Sequence, residues 1–320
     1  MTGAGGFIGS HLTEALLEVG AEVRAFLHYN SRGERGFLES IPRHALENIE
    51  PVFGDLRDAD TVRRAVRGVS VVFHLGALVA IPYSYANPRH VVETNVLGTL
   101  NVLVAAREVG VSRVVHTSTS EVYGTARYIP IDEAHPLNAQ SPYAASKISA
   151  DQLAESFYRC YELPVSIVRP FNTFGPRQSA RAVIPTIISQ SLVGDIVQLG
   201  STKPTRDFNF VTDTVRGFLA VAASPQTVGE TVNLGSGREV SVGDVVTLVG
   251  RLVKRELVVK TETVRIRPEN SEVYRLVADP TKMRRLCGWQ PGVSFEDGLA
   301  QTLEWVEAHL TAYRPGHYGV

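Results

Sequence analysis

Gly3-Ala4-Gly5-Gly6-Phe7-Ile8-Gly9 opens a helix, and this Gly-x-x-Gly-x-x-Gly spacing constrains the fold more than any other stretch of the chain. Glycine permits the tight turn and lets backbone approach a pyrophosphate. The helix start presents free N–H groups and the positive end of its dipole. Ile8 to Val19 reads as the helix, with Ile8, Leu12, Leu16 and Leu17 on one stripe. Strands then read at Glu22–Leu27, Ser70–Leu75, Arg113–Ser118 and Pro164–Val168. Helices read at Ala59–Arg67, Val91–Val109 (Val96, Leu100, Val104 and Ala105 along a face) and Pro142–Tyr161. This alternation predicts an α/β fold with a parallel, doubly wound, Rossmann-type sheet. Such a loop normally follows a strand, and here it begins at Thr2. A missing first strand would open an edge in the middle of the sheet. The expectation is therefore that the natural chain begins several residues earlier, with Met1 where the last strand residue belongs.

From Asn172 the pattern breaks into short elements rich in Pro, Gly and Arg up to Asp207. Phe208 to Ala223 reads as a return to the first layer. Helices near Val242–Val253 and Phe295–Leu310 follow, and Arg314–Val320 reads as a loose tail. The expected division is a dinucleotide-binding domain over 1–170 with a return segment at about 207–233. A smaller α/β C-terminal domain over 171–206 and 234–320 is expected to bind substrate.

The 320 residues carry a net charge of -1 without a long block of one sign, which argues against a nucleic-acid surface. No apolar stretch is long enough to span a bilayer, and Val71–Ala80 reads as a buried strand and turn. Cys160 and Cys287 match neither a zinc nor a redox spacing, which suits a reducing cytosol. The histidines form no ligand cluster, so no metal is expected. His74 and His116 read as core or supporting residues.

Tyr143 and Lys147 are four apart and share one helix face. An ammonium beside a phenol favours the phenolate, so this tyrosine is expected to lose its proton near neutral pH. A phenolate is the base needed to oxidise a secondary alcohol. Glu121, after Thr119 and Ser120, adds a second base that simple alcohol oxidation does not need. Two bases imply two protons removed: oxidation, then chemistry at the carbon next to the new ketone. Ser141 as cap and Pro142 at the first position begin the helix. That places the pair beside the strand ending at Ser118, where this fold builds its sites. The bland alternative is a surface Tyr and Lys with a solvated Glu. Cofactor choice stays open, because Val23–Arg32 lacks the acid that holds the ribose of NAD. His28, Ser31 and Arg32 either hold a 2′-phosphate, favouring NADP, or form an ordinary loop. Asp55, ending the next strand, is placed at the adenine side.

Nearly the whole chain resembles the extended short-chain dehydrogenases/reductases of the nucleotide-sugar epimerase/dehydratase type. The residues that carry the resemblance are the glycine loop, Gly54-Asp55-Leu56, His74-Leu75-Gly76-Ala77, Thr94-Asn95-Val96-Leu97-Gly98-Thr99, the Tyr143/Lys147 pair, Arg169 through Arg177, and Arg206-Asp207-Phe208. Ser118–Gly124 resembles the catalytic segment of the 4,6-dehydratases. Gln178–Pro185 and Arg265–Glu269 are most similar to the N-acetylglucosamine nucleotide 4,6-dehydratases of the legionaminic-acid pathway. Ser120 stands where the dTDP-glucose type has aspartate and the GDP-mannose type serine.

The resemblance implies tightly bound, recycled NAD or NADP, held by Gly3, Gly6, Phe7, Ile8, Gly9, His28, Asn30, Asp55, Leu56, Leu75, Ala77, Asn95, Thr117, Tyr143, Lys147 and Pro170. It implies catalysis by Thr119, Ser120, Glu121, Tyr143 and Lys147, with Ser120 assisting loss of the 6-hydroxyl. It implies a nucleotide-diphosphate sugar held by Thr119, Asn172, Arg181, Arg206 and Arg267, with Arg177 a further candidate. A cytoplasmic homodimer through the Val91–Val109 and Pro142–Tyr161 helices is also implied. Two rivals share the scaffold: a 4-epimerase, which has no need of Glu121, and a UDP-glucuronate decarboxylase, a type that the Thr119-Ser120-Glu121 segment resembles as well and that loses a carboxylate instead of water. A non-catalytic nucleotide-sensing protein is the remote alternative.

Overall fold

The computed structural model describes residues 1–316, without the side chains of Arg43 and His44. The tail expected to be loose therefore lies outside the described residues from 317 onward. The main sheet is built from β1 (Val23–His28), β2 (Ile49–Gly54), β3 (Val71–His74), β4 (Arg113–Thr117), β5 (Val165–Pro170) and a last strand, Thr231–Leu234. β1 pairs with β2, and β3, β4, β5 and the last strand pair in that order, all parallel. β5 is buried along its whole length, as a central parallel strand covered on both faces must be.

Met1 and Thr2 lie between the two halves of the sheet. Thr2 bridges both Phe26 and His74. The Phe26 N–H donates to the Met1 carbonyl at 2.8 Å, and the Thr2 N–H to the Phe73 carbonyl at 3.0 Å. The edge expected to open in mid-sheet is thus closed beside Phe26 and His74, where the site is built.

The helices Phe7–Glu18 and Val211–Ala223 cover one face, packing Leu12, Val215 and Phe218 on Phe73, Val115 and Val168. The other face carries Ala59–Val66, Gly98–Val109 and Pro142–Tyr161, with Val62, Leu103 and Phe157 in its core. A separate cluster of Phe174, Phe208, Phe210 and Phe295 with Ile184, Ile187 and Val245 holds the C-terminal elements together. Burying each such side chain contributes about 1.5–3 kcal/mol.

The helix expected over Val91–Val109 is interrupted. Pro88–Val92 passes through a π-helical turn, Glu93–Leu97, into Gly98–Val109. Of the expected face, Ala105 is buried, Leu100 and Val104 pack half-buried against the core, and Val96 is half-buried; Thr99, Val102, Leu103 and Ala106 are buried as well. The cause of the interruption lies at Asn95. Its side chain donates to the Leu78 carbonyl at 3.0 Å and accepts from the Leu78 N–H at 2.8 Å. Such turns mark functional regions. Among the described residues, no helix is long and apolar enough to cross a membrane, and no group of three His, Cys, Asp or Glu is placed to hold a metal ion.

Candidate active site

A cavity of about 970 Å³ opens at the C-terminal ends of the strands. Gly3, Gly6, Phe7, Ile8 and Gly9 form one wall, with His28, Asp55, Leu56, Leu75, Ala77, Thr117, Tyr143 and Pro170 along its floor and sides. Gly3 has φ 69°, and a Cβ there would lie 2.9 Å from the Gly76 nitrogen. A Cβ on Gly9 would meet the Gly3 carbonyl oxygen at 2.1 Å. Gly6, at the helix N-cap, offers no side-chain cap, so a ligand can take the first-turn N–H groups. Thr94, Thr117, Asn172 and Gln178 belong to the same cavity wall, and their buried Oγ1, Oγ1, Oδ1 and Oε1 atoms have no hydrogen-bond partner among the described residues. Buried polar atoms of this kind call for a polar ligand. The glycine cradle and these atoms fit a dinucleotide with a second polar molecule beside it.

Ser141 caps the Pro142–Tyr161 helix, accepting from the Ala144 N–H at 3.1 Å. Tyr143 is buried, with the Thr119 side chain close enough to favour its ionised form. The sequence leads us to expect a phenolate stabilised by Lys147, and in the chain alone burial opposes it. Burial pushes the Tyr143 phenol well above its ordinary value; the Thr119 hydrogen bond pulls it down, and the Glu121 and Asp151 charges push it further up. Lys147 lies beneath the cavity wall, donates to the Thr117 carbonyl at 2.6 Å, and is itself lowered by burial to about 8.

Thr119 and Glu121 both face the cavity, and Ser120 does not. Thr119 is extended, with φ -161° and ψ 153°, and caps the short turn Ser120–Tyr123. Ser120 opens that turn on the side away from the cavity, where it is 3% exposed. Its expected role on the 6-hydroxyl is not supported. Asn30 also fails to reach the cavity. Its Oδ1 accepts from the N–H groups of Arg32 and Glu34 at 3.2 and 2.9 Å, which folds the loop on itself. Asn95 acts from behind, holding Leu78 of the cavity wall.

Ser31 and Arg32 do not line the cavity either, while Glu34, Arg35 and Gly36 do. Glu34 lies two residues beyond the Val23–Arg32 stretch, which carries no acid. Asn172, Arg181, Arg206 and Arg267 all line the far end. Arg206 and Arg267 each stand 3.7 Å from Glu272, a cavity residue the sequence did not single out. Arg177 is turned away, paired with Glu14 at 2.6 Å. Asp55 is gripped by Arg57 at 2.6 Å, which holds its carboxyl at about 2.

A family profile described as GDP-mannose 4,6 dehydratase matches residues 1–302. The chain belongs to the nucleotide-sugar epimerase/dehydratase family of NAD-dependent, extended short-chain dehydrogenases/reductases. Within that family it is 35% identical to a UDP-glucose 4-epimerase of Mycolicibacterium smegmatis, over 95% of this chain and 97% of the relative. It is 32% identical to a UDP-N-acetyl-alpha-D-glucosaminuronate decarboxylase of Bacillus cytotoxicus, over 95% and 96%. A dTDP-glucose 4,6-dehydratase of Streptomyces venezuelae, solved as a double mutant with NAD bound, superposes with a TM-score of 0.85 at 32% identity, covering 96% of this chain and 95% of that one. These family members divide among epimerisation, decarboxylation and dehydration at similar identity.

Proposed function

We propose that the protein is an NAD-dependent nucleotide-sugar 4,6-dehydratase. The observation that carries this reading is Glu121, which shares one cavity with Thr119 and Tyr143. An epimerase acting only at C4 leaves that carboxylate without a task. Bound NAD supplies the hydride acceptor for C4 and the donor for C6. Tyr143 takes the proton of the 4-hydroxyl, and Thr119 hydrogen-bonds the same oxygen. The 4-ketone acidifies the C5 proton, which passes to Glu121. With Ser120 turned away, Glu121 gives that proton to the 6-hydroxyl as it leaves as water; with hydride returned to C6, C5 takes up a proton and Tyr143 releases the one it took, so the sum is loss of one water. Arg206 and Arg267, with Asn172 and Arg181, hold the diphosphate.

The substrate we infer is a UDP- or GDP-linked 2-acetamido hexose. This rests on the resemblance of Gln178–Pro185 and Arg265–Glu269 to the N-acetylglucosamine type, since Gln178, Arg181, Ile184, Arg265 and Arg267 all belong to the cavity wall. Exposed Val92, Leu97 and Tyr161 on neighbouring helices support a homodimer.

Mass spectrometry of protein, NAD and a panel of UDP- and GDP-sugars tests the reading. The expected product is lighter by one water. Loss of carbon dioxide makes the enzyme a decarboxylase, and unchanged mass with a new epimer makes it a 4-epimerase. Glu121→Gln is expected to slow turnover by about a hundredfold or more, while the first oxidation still yields reduced nicotinamide. Equal loss of both steps would remove Glu121 from the C5 chemistry.

A further inference from the structure

Tyr143, Lys147 and Asp151 lie at successive turns along one stripe of the Pro142–Tyr161 helix. The first two belong to the site described above; Asp151 lies deeper and is 1% exposed. Its Oδ2 accepts from Ser118 Oγ at 2.7 Å and from Arg169 Nε and Nη2 at 3.2 and 3.1 Å. Its Oδ1 makes no hydrogen bond and faces His116 Nε2 at 3.3 Å.

The groups facing this carboxylate come from every neighbouring element. Tyr143 and Lys147 share its helix. His116 comes from β4, with the ring of His74 of β3 lying 5.6 Å away at a tilt of 32°. Arg169 comes from β5, and Glu121 and Tyr123 from the turn after β4. Burial keeps both histidines neutral, and Arg169 stays charged. Fully buried beneath the site are two cations, Lys147 and Arg169, and one anion, Asp151, with the Glu121 carboxylate on the cavity wall above them. The next proton lost by the Tyr143–Lys147 pair can leave from Tyr143, giving the phenolate, or from Lys147, giving a neutral amine beside a neutral phenol.

We propose that Asp151 is the positioning residue that decides this choice, holding the proton on Lys147 so that Tyr143 becomes the base. The inference rests on the reading of Tyr143 as the base of the proposed reaction. Distance supplies the preference. At a rise of about 1.5 Å per residue, Asp151 is about 6 Å along the axis from Lys147 and about 12 Å from Tyr143. Coulomb attraction falls with separation, so the carboxylate stabilises the ammonium more than it opposes the phenolate. The two groups titrate as a pair, and a fixed charge nearer one member selects which of them ionises. A purely structural Asp151 would neutralise Arg169 and leave Lys147 indifferent to its loss.

The test is NMR titration of the full chain carrying 13C-labelled lysine side chains, with Lys147→Arg used to assign the signal. Asp151→Asn is expected to move the Lys147 midpoint down by about one pH unit, a tenfold change in proton affinity. An unmoved midpoint overturns the proposal. Should Asp151→Asn fail to fold, Arg169→Met gives the opposite arm. It removes a like charge and frees the carboxylate to act on Lys147, so the midpoint must rise; an unmoved one again overturns the proposal. The titration needs no substrate. A failed product assay would therefore sink the dehydratase reading and leave this result standing, and the reverse holds equally.

Discussion

At Tyr143 burial and hydrogen bonding oppose each other. Desolvation disfavours the phenolate, and the Thr119 hydroxyl favours it. Removing the hydroxyl leaves the desolvation in place, so the sign of the effect is fixed. In Thr119→Ala the phenol rises further, and the pH at which the base form appears rises with it. A hydrogen bond to a charged group contributes about 1.5–3 kcal/mol, so the acid limb of the kcat profile is expected to move up by roughly one to two pH units. A limb at the same pH would show that Thr119 binds substrate without touching the ionisation of Tyr143. The residue scale is also where the sequence misled. Tyr143, Lys147 and Glu121 were legible because their spacing carries chemistry. The orientations of Ser120 and Asn30 were not, because they depend on one extended residue at Thr119 and on one self-bonded loop.

Among the elements, legibility follows the strength of local end signals. Pro142–Tyr161 and Val242–Val253 were read with the bounds they have. Ser141 with Pro142 marks the first start, and a capping box between Ser241 and Asp244 marks the second. The π-helical turn at Glu93–Leu97 has no such signal, because Asn95 is pinned by Leu78, a residue distant in sequence. The glycine loop is the element whose geometry leaves least room. Gly9→Ala would push a methyl against the Gly3 carbonyl oxygen at 2.1 Å, so the loop backbone must move. NAD affinity measured by calorimetry is expected to fall tenfold or more, about 1.4 kcal/mol, with the melting temperature lowered as well. Unchanged affinity would mean that the loop does not hold the pyrophosphate.

The molecule as a whole depends on contacts that join the sheet to the C-terminal elements around the cavity. Arg177 makes one such contact, reaching back to Glu14 on the first helix. Asp207 makes a more central one. It follows Arg206 of the site, and its carbonyl accepts from the Asn172 N–H at 3.0 Å. Its carboxylate accepts from the Ser236 and Gly237 N–H groups at 2.8 and 2.7 Å, from Ser236 Oγ at 2.5 Å and from the Ala278 N–H at 3.1 Å. Two distant stretches of chain, at Ser236–Gly237 and at Ala278, therefore meet on one buried side chain, and a third, at Asn172, meets its main chain. Burial pushes its carboxyl up, and those four hydrogen bonds draw it down. In Asp207→Ala the three backbone N–H groups lose their acceptor, and each buried donor left unsatisfied costs about 1–3 kcal/mol. Partial relaxation and entering water reduce the sum, so the expected loss is about 3–5 kcal/mol, read as a lower urea midpoint with an unchanged slope. The Asn172 and Arg206 ends of the cavity hang on the same junction, so nucleotide-sugar affinity should weaken before the chain unfolds. A loss under about 1 kcal/mol would show that the three segments are held by their apolar packing alone.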